Sequence, residues 1–136
     1  MRKIVLLLSV GILVAALLAA CGGGASPAPA GGSAGAAGDP AAGKALFAQT
    51  VIGSSPGCIT CHALEPGKTL VGPSMAGIAS RAGKTVAGQS AEQYLRQSIV
   101  EPDAHVVAGF TKGLMPKSNL DDKQVNDLVA YLLTLK

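Results

Sequence analysis

Tryptophan is absent from this 136-residue chain, and only four aromatic side chains are present, two Tyr and two Phe. A small domain so short of large rings needs some other bulky apolar element to fill its core. Cysteine and histidine are scarce too, with three and two copies. A tetrahedral zinc site needs four ligands, yet no second C-x-x-C and no H-x-x-x-H pair stands beside Cys58 and Cys61. No βαβ pattern surrounds that pair, which argues against a thioredoxin-like redox site. There is no β-hairpin signal and no internal repeat. No basic patch exists in the body of the chain, so nucleic acid is not expected as a partner.

What the chain does have is Cys58-Ile59-Thr60-Cys61-His62. This is C-x-x-C-H, the attachment signature for c-type haem. Two thiols must each reach a vinyl group on one porphyrin edge, which fixes their short spacing. The following residue, His62, is then carried under the ring, where an imidazole nitrogen binds the iron. A structural disulfide would leave the adjoining histidine as a coincidence.

The N-terminus has a different character. Arg2 and Lys3 precede an apolar run over residues 4–20, interrupted only by Ser9 and Gly11. Leu18-Ala19-Ala20-Cys21 resembles the lipobox of bacterial lipoproteins, in which the Cys is lipidated and becomes the first mature residue. Residues 1–20 are then a signal peptide of lipoprotein type, and Cys21 accounts for the third cysteine. The alternative is an uncleaved membrane anchor, for which the run is at the short limit. Either reading exports the domain and holds it at the extracytoplasmic, periplasmic face of the membrane. Without Arg2 and Lys3 the 11 Lys and Arg fall to 9 against 8 Asp and Glu, a formal +1. Two ionised haem propionates bring that to about −1.

Residues 22–38 contain only Gly, Ala, Ser and Pro. Such a segment cannot build a core, and with Cys21 it reads as a flexible tether. It spans on the order of 20–25 Å on average, and about 60 Å when stretched. The domain itself covers residues 39–136 and reads as all-α. Asp39 suits an N-cap and Pro40 the first helical position, opening a helix to about residue 50 with Gly43 and Phe47 on one face. A short helical piece is expected up to Arg81. Ser90 and Gln93 form a capping box for a helix ending at Glu101-Pro102. Asp121 and Gln124 form another for the last helix, where Val125, Leu128, Val129 and Leu132 follow the i, i+3, i+4, i+7 pattern.

Iron held by one histidine has a sixth position to fill, and Met75, His105 and Met115 are the candidates. Met115-Pro116 lies in a Gly-rich stretch before the last helix, able to fold back over the opposite haem face, with Pro116 restricting the backbone there. That placement favours Met115. Met75 reads otherwise as core packing, and His105 as a solvated or propionate-facing side chain.

These separated pieces resemble the class I cytochromes c over residues 39–136. Gly43 and Phe47 match the family's first helix, and Leu128 and Tyr131 their partners on the last. Gly72-Pro73 matches the Gly-Pro whose carbonyl accepts from the axial histidine ring. Met75 falls at an aliphatic core position, Arg81 near a haem propionate, and Met115-Pro116 on the axial methionine loop. The stretches 94–102 and 113–116 look like the cytochrome c domains fused to subunit II of some haem–copper oxidases, without their copper domain. With no Trp, the propionate partners left to consider are Tyr94, Arg81 and Arg96. The lysine ring that mitochondrial relatives use for docking is missing.

The resemblance implies a small all-α fold around one covalently bound haem c, with Cys58, Cys61, His62 and Met115 as cofactor-binding residues and His62 and Met115 on the metal. It implies an electron carrier, not an enzyme, with no small-molecule substrate. Its partners are redox proteins, a quinol-oxidising complex as donor and a terminal oxidase as acceptor, in respiratory or photosynthetic electron transfer. The rival expectations are a fixed haem subunit of a larger complex, and a five-coordinate haem enzyme or gas sensor.

Overall fold

The computed structural model describes residues 37–136. The signal-peptide and lipidation readings, and the tether up to residue 36, lie outside the described residues. Five helices and one minimal hairpin follow in order: α1 (Pro40–Phe47), β1 (Val51–Ile52), β2 (Ser55–Pro56), α2 (Cys58–Cys61), α3 (Ile78–Ala82), α4 (Ala91–Val100) and α5 (Asp122–Leu132).

Helix α1 starts where its caps dictate. The Asp39 carboxylate accepts from the Ala41 N–H at 2.8 Å, and Pro40 occupies the first turn. The helix ends at Phe47 rather than near residue 50, because the chain turns at Ala48 and enters a hairpin that the sequence did not announce. Val51 pairs with Pro56 and Ile52 with Ser55, with Gly53 at φ +61° in the turn. Two-residue strands are too short to show alternation, and proline argues against a strand. Here Pro56 sits in an isolated pair with no further ladder to break.

Both longer helices carry the expected capping boxes. Ser90 and Asp121 accept from the N–H groups of Gln93 and Gln124, whose side chains reach back to the cap N–H groups. Each box satisfies two of the backbone donors that a helix start leaves orphaned.

Helices α1 and α5 cross in backbone contact. A Cβ on Gly43 would lie 1.9 Å from the Asp127 carbonyl oxygen and 2.9 Å from the Tyr131 Cβ. Only glycine lets the two backbones meet there. Beside it, the Phe47 and Tyr131 rings pack with centroids 5.6 Å apart at 60°. Leu128 and Val125 are buried to 1% exposure, each worth about 1.5–3 kcal/mol of apolar burial. Tyr94, Leu95 and Ile99 of α4, Ile78 and Ala82 of α3, and Met75 complete this core.

The packed unit begins just before α1. A Cβ on Gly38 would strike the Asn126 carbonyl at 2.1 Å. The Asp39 N–H donates to the Asp127 carboxylate at 2.8 Å. Asp127 is buried to 6% exposure, and Lys123, one turn back on α5, donates to it at 2.7 Å. That hydrogen bond, and then the Asp39 N–H, hold its carboxyl below the usual aspartate range. Helix α5 therefore presents two sides. Leu128 and Leu132 face a cleft, while Asn126, Ala130 and Leu133 flank Gly38 in a shallow groove elsewhere on its surface.

Candidate haem-binding site

The C-x-x-C-H segment is shaped from both flanks. Gly57 follows the hairpin, and its N–H donates to the Thr50 carbonyl at 2.8 Å. A Cβ on Gly57 would lie 1.8 Å from the Gln49 carbonyl oxygen, so no larger residue fits where the chain enters α2. The Thr60 hydroxyl donates back to the Gly57 carbonyl at 2.6 Å. Helix α2 is a single turn, and its i, i+3 spacing sets Cys58 and Cys61 on one side. The His62 N–H closes it onto the Cys58 carbonyl at 2.9 Å. Burial pushes the Cys58 thiol up from its ordinary pKa, against a smaller lowering by a backbone hydrogen bond. As a free group it is therefore held as the neutral thiol.

His62 is oriented through its ring. Nδ1 lies 2.9 Å from the Pro73 carbonyl oxygen, as the Gly-Pro resemblance implied. A carbonyl only accepts, so Nδ1 carries the proton and Nε2 keeps its lone pair for iron. The ring also rests on Gly72, where a Cβ would come within 2.5 Å of Cε1. The Gly72 N–H donates to the Cys61 carbonyl at 2.9 Å, and the Met75 N–H to the Ala63 carbonyl at 2.8 Å. Cys61, His62 and Ala63 on one side of the loop are thus tied to Gly72, Pro73 and Met75 on the other, around the imidazole.

Cys58, Cys61 and His62 line a predominantly apolar cleft. Its floor includes Met75, Tyr94, Leu95 and Leu128, and a further wall comes from the chain after α4, including His105, Phe110 and Met115. Met115 is 37% exposed at the rim, whereas Met75 is 9% exposed within the core, as its core reading requires. His105 packs edge-on against the Tyr94 ring, with centroids 5.9 Å apart.

Two of the three propionate candidates reach the cleft. Tyr94 lines it, and so does Arg81, whose guanidinium donates to the carbonyls of Ser74 and Ala76. Arg96 is corrected. It bonds the Asn126 side chain and lies 3.9 Å from the Asp122 carboxylate, on the α4–α5 surface. Two residues after Tyr94 on a helix, it points away from the side that Tyr94 faces.

The donor set fits a covalently attached haem. Two thiols share one turn, one imidazole rests on a glycine that a methyl group would crowd and has the correct nitrogen free, and a soft thioether lies on the same apolar cleft. The sequence model of the cytochrome c family matches residues 40–136. With that match and this site, the chain belongs to the cytochrome c family: a small all-α electron-transfer protein of the class I fold, not an enzyme. Its cofactor is covalently attached haem c, and Cys58 and Cys61 fit the attachment motif. No curated protein matches the chain.

Proposed function

We propose that this cytochrome is a lipid-tethered one-electron carrier whose iron is held by His62 and Met115, and that it delivers electrons towards a terminal oxidase. The observation that carries the ligand assignment is the position of Met115 on the cleft that also holds His62. When bound, the haem supplies a reversible ferric/ferrous couple. His62 offers Nε2 because Pro73 holds the proton on Nδ1. Met115 offers a sulfur that favours ferrous iron and closes the site to exogenous ligands. His105 stays against the Tyr94 ring, and Met75 stays in the core.

The tether reading rests on Arg2, Lys3, the apolar run 4–20 and Cys21. Among the described residues no helix is long and apolar enough to cross a membrane. Multiple acyl chains on Cys21 would hold the domain firmly at the outer face of the bacterial membrane, where one chain alone anchors marginally. The direction towards an oxidase rests on the likeness of residues 94–102 and 113–116 to subunit II fusions.

Met115→Ala tests the reading. It should abolish the weak sulfur-to-iron charge-transfer band of the oxidised protein and open the iron to cyanide and carbon monoxide, while covalent haem persists. Survival of the band, or rapid carbon monoxide binding by the wild-type reduced protein at neutral pH, would sink the His/Met carrier. Mass analysis of the mature protein separately tests lipid on Cys21, and crosslinking in membranes tests the oxidase partner.

A further inference from the structure

The wall that carries Met115 is built differently from the rest of the cleft. After α4 the chain passes Pro102 and Asp103 and runs without regular structure until α5 begins at Asp122. Val107 and Phe110 are half-buried and line the cleft, while residues 111–117 are exposed. Gly109 at φ +90° and Gly113 at φ +82° reverse the chain on either side of this bend. A loop of this size, with its ends drawn together, keeps its shape through whatever joins those ends.

Little joins them. The backbone bonds within the loop are short-range turns, Phe110 to Val107 at 3.1 Å and Leu114 to Thr111 at 3.4 Å. Among the described residues, one hydrogen bond ties residues 111–119 to the rest of the fold. The Gly113 N–H donates to the Asp103 carboxylate at 2.8 Å, across ten residues of sequence. Asp103 is itself placed by the end of α4, where the Ala104 N–H closes a turn on the Glu101 carbonyl at 2.9 Å. The clasp therefore connects the end of a capped, buried helix to the residue two positions before Met115. Gly113 suits the receiving end, because its positive φ turns the N–H inward at no steric cost.

We propose that Asp103 is a positioning residue for the sixth ligand: its carboxylate, through the Gly113 N–H, holds the Met115 loop closed over the cleft. This rests on Met115 as ligand. A bond from an N–H to a carboxylate is stronger than a neutral one, though exposure reduces its net worth. Losing it frees the loop to swing, so the thioether leaves more often and an exogenous ligand competes more easily. Helix packing at the α1–α5 crossing is remote from Asp103 and should not change.

The test compares Asp103→Ala and Asp103→Asn in the full-length holoprotein, with Met115→Ala as control. Asp103→Ala should raise the cyanide affinity of the ferric protein about fivefold, the worth of one modest hydrogen bond. It should weaken the charge-transfer band and speed hydrogen exchange at the Gly113 amide. Asp103→Asn keeps an acceptor oxygen and should restore all three readouts to within about twofold of wild type. Wild-type cyanide affinity and wild-type Gly113 exchange in Asp103→Ala would overturn the clasp while leaving Met115 as ligand. Asparagine behaving like alanine would overturn the acceptor role. A band that survives Met115→Ala would remove the premise, and the clasp as a ligand-positioning device with it.

Discussion

The two amino-acid walls of the cleft are held by unlike means. On the histidine side, Gly57, Gly72 and Pro73 fix the chain by close backbone approach and by a network of short hydrogen bonds, and α2 fastens the thiols within one turn. On the methionine side, one hydrogen bond among the described residues, from Gly113 to Asp103, ties an exposed loop to the fold. On the proposed assignment, one ligand is placed by close packing, and the other by a clasp that solvent reaches. The difference teaches that the domain needs little stability at Met115 to remain folded, because its core lies in α1, α3, α4 and α5 with Met75. With Met115 as the proposed sixth ligand, stability of the fold and stability of the ligand become separable quantities.

Breaking the helix core behind the cleft should have the largest effect. Gly43→Val puts a branched side chain where even a Cβ meets backbone at 1.9 Å. It should cost about 1–3 kcal/mol in denaturant titration of the holoprotein, towards the upper end because the obstacle is backbone. A loss under about 0.5 kcal/mol would mean the α1–α5 crossing is misplaced. Gly72→Ala is the milder version beside the iron. Its methyl group would displace the His62 ring and strain the bond to Pro73, costing about 1 kcal/mol and shifting the haem spectrum. An unchanged spectrum would show that the ring has slack which the 2.5 Å approach denies.

The comparison sharpens when both walls are watched in one experiment. In a denaturant titration of the ferric protein, the charge-transfer band should disappear before the far-ultraviolet helical signal falls. Amides of residues 111–117 should exchange faster than those of α5. Coincident transitions by both probes would make the domain one cooperative unit, loop included.

The smallest effect expected is at Asp127, whose carboxyl is held low by Lys123 and the Asp39 N–H. A depressed aspartate adds stability above its unfolded pKa, near 3.9, and loses it as pH falls through the lower folded value. Asp127→Asn should therefore lower the melting temperature at neutral pH, and the gap to wild type should close below about pH 4. A gap that stays constant down to strongly acid pH would assign the effect to packing rather than to charge.

How far the sequence could be read follows from the range of each interaction. Caps at Asp39, Ser90 and Asp121 are legible because donor and acceptor lie two or three residues apart. Gly43 opposite α5 was legible only through family resemblance, since nothing local says which helix a glycine will meet. The β1–β2 hairpin escaped notice because two residues carry no period. Residues 104–116 carry no helical or strand period, and the Asp103–Gly113 bond that closes over that stretch has no periodic signature at all. The place of Arg96 depends on the phase of α4, which turns it towards Asn126. The attachment turn was the most legible part, because its chemistry dictates its spacing.

Gly38 has one more consequence, a mechanical one. The chain enters the fold pressed against the Asn126 carbonyl, and the next N–H is gripped by Asp127. Any pull arriving along the preceding segment is therefore delivered to α5 and, through the Gly43 contact, to α1. The side of α5 that receives this load is not the side that carries Leu128 and Leu132 to the cleft. A pull along the proposed tether would thus reach α5 and α1 first, and the cleft only through the Phe47, Leu128 and Leu132 side chains of that pair, not through the His62 or Met115 segments.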